Sequence, residues 1–423
     1  MRRQRLLAFR NAAYTTLISG QVISQLGSTS HQVAAIVYIR NTTNEPLSVG
    51  LLLILSGVLS LIVSPIAGSL ADKGARARIL IGADLLAGLA ALLVALVFFI
   101  TESPPVALLY ACGLIFSALG LLLGPAFGSA IPLVVQKADL RQASSTSKIL
   151  TKMAEFAGNT LAAALIKTGG IAIVFLLNGL SFVFAAGASS LVRKKIESAP
   201  TLDRPPTRLL GQITHHYRNF GVSVVDLFQD GGVRNIFIMA GLINLIHAPI
   251  MVLLPFLGKD LERGTVDAYG AILAAQALGS LLGYFLFGGR WFATVKPERS
   301  ATSAVLLMSL SFCLLGFSNS LSVSLLIMLL IGLCHGSWSV LFESSLQRSI
   351  PQNRLGSAFA AFRVIASCAA PIGYVVGSVF GDMVVSRNWF GYFISALGFL
   401  MLMATSFILM KKEARAFFSA PSL

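Results

Sequence analysis

Apolar runs of about twenty residues recur along the chain with few polar positions between them, at 11–39, 48–71, 79–100, 106–134, 142–166, 170–192, 235–257, 267–288, 301–319, 321–346, 355–380 and 390–410. Each is long enough to cross roughly 30 Å of hydrocarbon as a helix. The period-two alternation of a β-barrel is absent, and backbone groups in lipid must be satisfied within the segment, so the runs predict helices. The expected fold is an all-α membrane protein with twelve transmembrane helices. One long stretch, 193–234, opens with Arg193, Lys194 and Lys195, carries Pro200, Pro205 and Pro206, and is too charged to span. It divides the chain into a six-helix bundle (1–192), a cytoplasmic linker (193–234) and a second six-helix bundle (235–423).

The two halves repeat each other at nearly fixed offsets. A shift of 220 brings Gly50 onto Gly270, Ser60 onto Ser280 and Gly68 onto Gly288. A shift of 215 brings Phe127 onto Phe342, Ser129 onto Ser344, Gly158 onto Gly373 and Lys148 onto Arg363. Small residues at matched positions are what close helix packing in lipid needs. Two pseudo-symmetric six-helix bundles suit a transporter that rocks its halves around a midplane site.

Charge adds orientation. Only 12% of residues are charged, yet the formal charge is +15. With the N-terminus inside, five of the 32 basic residues (Arg40, Lys167, Lys259, Arg263 and Arg387) fall in outward loops. Lys148, Lys152 and Arg363 fall within spans, and the remaining 24 are inward, a positive-inside pattern. The basic excess therefore marks topology, and no nucleic-acid partner is expected. The chain is expected in the plasma (inner) membrane with both termini cytoplasmic, in contact with the lipid bilayer and as a monomer. The opening MRRQRLLAFR reads as the flank of an uncleaved first helix. Cys112, Cys313, Cys334 and Cys368 fall inside spans without ligand-like spacing, so neither metal nor cofactor is expected. Asn41-Thr42-Thr43 is a glycosylation sequon expected in an outward loop.

Between the second and third runs lies GSLADKGARAR, Gly68 to Arg78. It resembles the loop signature of the major facilitator superfamily, with Gly68, Asp72, Arg76 and Arg78 on its glycine, acidic and basic positions. The following IGADL (Ile81 to Leu85) and the earlier SGQVISQLG (Ser19 to Gly27) resemble the drug-exporter branch that holds macrolide efflux proteins and the enterobactin exporter. The resemblance covers essentially the whole chain. It implies that the loop is a cytoplasmic gating latch, with Asp72 near a helix end and Arg76 and Arg78 reaching acidic partners such as Asp84. The counterpart near Gly288 is degenerate, with Phe292 in the acidic position. Three family features are missing. Ser28 rather than an acid follows Gly27, Asn159 rather than proline follows Gly158, and the arginine common in span four is absent.

Polar stripes inside the spans supply the candidate site. Gln21, Gln25, Ser28 and Gln32 share one helical face bordered by His31, which reads as a cavity wall or as interhelical hydrogen bonding. Lys148, Lys152, Glu155 and Asn159 share a face of span five. Lys152 and Glu155 either pair along the helix or line a water-filled cavity. Asn244 and His247 share a face of span seven, and His335, Ser339 and Glu343 follow one another in span ten beside Trp338. The substrate-binding candidates are Gln21, Gln25, Gln32, Lys148, Lys152, Asn159, Asn244, Trp338 and Arg363, with His31, Glu155, His247 and Glu343 as proton carriers. Neither a nucleotide-binding loop nor a catalytic cluster is evident, so an enzyme is not expected. The leading expectation is export of a small, anionic metabolite such as a siderophore by proton antiport. A multidrug or macrolide-type pump is second, and a non-transporting membrane sensor or scaffold third.

Overall fold

The computed structural model describes residues 11–72, 76–101, 104–136, 139–197, 228–261, 268–288, 296–350 and 355–419. In chain order the helices are α1 (Ala12–Thr43), α2 (Pro46–Asp72), α3 (Arg76–Ile100), α4 (Val106–Val134), α5 (Leu140–Leu191), α6 (Arg193–Glu197), α7 (Gly231–Leu261), α8 (Ala268–Gly288), α9 (Pro297–Leu315), α10 (Leu321–Ser349), α11 (Leu355–Ser386), α12 (Phe390–Met410) and α13 (Lys412–Ser419). Among the described residues there is no strand, and nine helices are long and apolar enough to cross a membrane. On α3 and α12 large apolar side chains such as Leu86, Leu89, Leu93, Phe399, Met403 and Phe407 point outward, where hydrocarbon rather than water is the natural neighbour.

The apolar runs and the helices coincide closely, with three informative differences. Spans 142–166 and 170–192 form the single element α5, of 52 residues. At 1.5 Å per residue such a helix would reach about 78 Å if straight, far beyond one bilayer. Gly170 breaks it, at φ 76° and ψ 172°, a conformation only glycine takes without strain. Secondly, α1 runs to Thr43, so Arg40 is not a loop residue. It is 3% exposed in the last helical turn, and its guanidinium donates to Asn41 Oδ1. A cation there is favourable beside the unsatisfied carbonyls of a helix C-terminus. The sequon at Asn41 is thereby helical rather than looped. Thirdly, the expected linker begins with the short helix α6, and residues 198–227 lie outside the described residues.

Residues 11–42 and 59–197 form one compact unit; 43–58 and 228–419 form a second. In the first, α1 packs along both arms of α5. Ser30 Oγ donates to Gly158 O at 2.9 Å, and a Cβ at Gly158 would lie 2.7 Å from Leu26 O. Further along, a Cβ at Gly27 would collide with Ser181 and Asn178, and one at Gly20 with Ala188. Tyr14, Leu17, Leu80, Ile131, Val134 and Ile196 fill a core at one end of this unit, where Tyr14 Oη donates to Ala143 O at 2.7 Å.

In the second unit, α8 and α10 carry matched glycines four residues apart. Gly279 lies against Leu329 O, Gly283 against Leu333 O, Gly332 against Gln276 O and Gly336 against Ser280 O. No side chain fits at any of the four, so the backbones approach closely, as small-residue seams allow in lipid. A similar seam joins α7 to α11, where Gly377 lies against Pro249 and Gly373 against Leu245 O. The 46–58 segment of α2 belongs to this unit, with Gly57 beside Pro371 and Gly50 beside Ser378.

Candidate functional site

The seams of the second unit aim four helices at one cavity of about 120 Å³. From α7 come Ile243, Asn244 and His247, spaced to share a face, and from α8 comes Gln276. Met308 and Phe312 of α9 close one side. Span ten contributes His335, Trp338, Ser339, Phe342 and Glu343, and α11 contributes Phe362. Six polar side chains thus converge against an aromatic wall, the usual composition of a small-molecule site.

His247 is packed beside Phe312, with ring centroids 5.4 Å apart, and its Nε2 is buried without a hydrogen-bond partner. A buried donor or acceptor left unmatched is costly, and here it lines a cavity that a ligand can fill. His335 lines the same cavity from α10. Asn244 Nδ2 donates to Ala240 O at 2.9 Å, and Ser339 Oγ to His335 O at 2.9 Å. Trp338 and Phe342 stack at 6.0 Å, and Phe342 meets Phe362 at 4.3 Å. No lysine or arginine lines this cavity among the described residues.

The structure therefore brings together Asn244, His247, Trp338 and Glu343 of the residues expected from sequence. Gln276, Met308 and Phe312 were not among them. The paired glycines at 279/283 and 332/336 hold the missing signal, because they dock α8 on α10 and so bring Gln276 to the cavity that His335 also lines.

The other candidates lie in the first unit or outside the described side chains. Gln21, Gln25 and Ser28 are half-buried and Gln32 is exposed, so the glutamine face of α1 stays open while its glycine face packs on α5. Gln25 Nε2 donates to Thr29 Oγ1 at 3.3 Å. His31 leaves that face and is enclosed by Phe116 and Phe175 at 4.6 and 4.4 Å, with Nδ1 unpartnered. Lys152 donates to Glu155 Oε2 at 2.6 Å, so these two pair along the helix. Lys148 is exposed and Asn159 is buried. Arg363 lies in α11 and Asp72 ends α2, but their side chains are outside the described set, and the surroundings of Gly68 in α2 are likewise outside it.

α2 ends at Asp72 and α3 opens at Arg76, and residues 73–75 between them lie outside the described residues. Arg78 is exposed, whereas Arg76 is half-buried with its Nε unpartnered. Asp84 is 5% exposed two turns into α3. The degenerate counterpart at 289–295 lies outside the described residues.

The Major Facilitator Superfamily profile matches residues 17–370. The chain belongs to this superfamily. This major facilitator protein is 23% identical over 386 residues to macrolide efflux protein A of Streptococcus pyogenes, covering 89% of this chain and 91% of that protein. It is 24% identical over 352 residues to the enterobactin exporter EntS of Escherichia coli O1:K1, covering 82% and 79%. A solved POT family transporter in complex with a thioalcohol-conjugated peptide has a similar fold, with a TM-score of 0.72 at 12% identity, covering 94% of this chain and 95% of that one. A point mutant of the nucleoside transporter NupG aligns with a TM-score of 0.66 at 13% identity, covering 96% and 98%. Identities this low establish the fold alone. The chain is a multi-pass membrane transporter rather than an enzyme, and efflux proteins are among its relatives.

Proposed function

We propose that this transporter exports a small amphipathic molecule from the cytoplasm by alternating access, with protons moving the opposite way across the plasma (inner) membrane. The cavity between α7, α8, α9, α10 and α11 carries this reading. Its aromatic wall suits an apolar body, and Asn244, Gln276, Ser339 and the two histidines suit a few hydroxyl or carbonyl groups. Glu343 contributes a carboxylate to the lining, which suits a neutral or weakly basic, macrolide-like cargo. The relation to macrolide efflux protein A points the same way. His247, His335 and Glu343 are the proton carriers of this reading, since imidazole changes charge near neutral pH and ionisable groups inside a membrane bundle usually serve transport.

The second reading, export of an anionic metabolite such as a siderophore, draws on exposed Lys148 and on the enterobactin-exporter relation. Lys152 supports it less, because Glu155 already neutralises it. Proteoliposomes with an imposed proton gradient, given a macrolide panel and an anionic metallophore panel, separate the two. Macrolide flux that survives Lys152→Ala and falls with Gln276→Leu is the expected result. Anion flux abolished by Lys152→Ala with Arg363→Ala would instead make the second reading correct. Accumulation that persists after the gradient is collapsed removes proton coupling from both.

A further inference from the structure

Helix α13 is only eight residues long, too short to hold itself together in isolation. Its buried positions are Ala414, Phe417 and Phe418, at 0, 4 and 1% exposure, and they form one apolar stripe. Lys412, Glu413 and Arg415 face outward. The stripe is spent on the cavity's own wall. Phe418 meets the Trp338 ring edge-on at 5.5 Å, and Phe417 meets the Phe342 ring at 6.3 Å. Trp338 and Phe342 both line the cavity.

Polar contacts hold the helix in this register. Lys411 Nζ donates to Asn235 Oδ1 and Asn235 Nδ2 donates to Glu413 Oε2, both at 3.3 Å, while Ser349 Oγ donates to Phe417 O at 3.4 Å. Gly231 and Gly232 open α7 directly beneath Glu413, and a Cβ at Gly232 would come within 3.0 Å of Glu413 O. The start of α7 is bare where α13 crosses it.

We infer that α13 is the outer layer of the cavity wall, and that Phe418 and Phe417, through Trp338 and Phe342, decide which cargo shapes the cavity accepts. This rests on the reading that the cavity binds cargo. Neither phenylalanine touches the cavity, so both are positioning residues. An end-cap serving stability alone would lower the melting point and the amount of active transporter without changing selectivity.

The test uses the full chain with Trp291→Phe and Trp389→Phe, which leaves Trp338 as the sole indole. Its emission and acrylamide quenching report the wall directly, without any cargo. Phe418→Ala should red-shift the emission and raise quenching, and Phe418→Tyr should restore both. In proteoliposomes the same substitution should change KM for a large-ring relative to a small-ring macrolide by about two- to tenfold, the worth of one aromatic contact, with kcat little altered. Phe418→Leu keeps the burial and serves if the alanine variant fails to fold. Unchanged Trp338 emission and quenching in the folded variants would overturn the inference. So would a loss of kcat equal for every macrolide. If Trp338 responds while the unsubstituted protein moves no macrolide, the wall assignment stands and the cargo reading falls.

Discussion

At the scale of single residues, polar side chains inside the spans divide into those that serve packing and those that face open space. Lys152 and Glu155 illustrate the first. Their spacing is legible in sequence, but it permits both a local pair and a cavity wall, and only the 2.6 Å contact decides for the pair. Both are about one-third exposed, so the pair is worth roughly 0.2–0.5 kcal/mol, as for other neighbours on a helix surface. Lys152→Ala should therefore leave the melting midpoint nearly unchanged and alter macrolide flux less than about twofold. Gln276 belongs to the second group. Its replacement by leucine removes a polar group from the cavity lining while preserving bulk, and on the proposed macrolide reading flux of hydroxyl-rich macrolides should fall by about tenfold or more with folding intact. His31 was legible as a polar residue beside the glutamine face. Its enclosure by Phe116 and Phe175 depends on α4 and α5, whose relation to α1 no local pattern encodes.

At the scale of helices, the apolar runs locate nearly every element because lipid demands continuous internal hydrogen bonding. They miss α13, whose eight residues carry too short a stripe to register as a span, and they missed α6 for the same reason. Pairings between helices are less legible, although the glycines of α8 and α10 are visible as two spaced pairs. Gly336→Val should force the α8 and α10 backbones apart, cost about 1–3 kcal/mol or more, and abolish flux by disordering the wall that carries His335 and Trp338. A thermal melt and a flux assay together check it. Gly170 makes a different demand. A Cβ there meets nothing within 4 Å, so the objection to alanine is conformational alone. Gly170→Ala should destabilise by about 1–3 kcal/mol through backbone strain, read as a lower melting midpoint in a protein that still transports.

At the scale of the whole molecule, the uneven placement of basic residues predicts an orientation that labelling can check. An impermeant maleimide added to intact cells should modify Thr101→Cys and leave Lys194→Cys untouched, both positions being exposed. Modification of Lys194→Cys from outside would invert the assigned topology. The fold class was legible throughout because twelve runs, one charged divider and one loop motif agree, whereas cargo class was not. The cationic stripe of span five is visible in sequence, whereas the cavity draws its lining from five helices whose polar positions look unremarkable one at a time. One consequence is practical. A bulky label at Lys411, in the turn between α12 and α13, would pull on the ring that backs Trp338, so a labelled and an unlabelled preparation should differ in Trp338 emission while expressing equally well. Probes for this transporter are better placed on other elements.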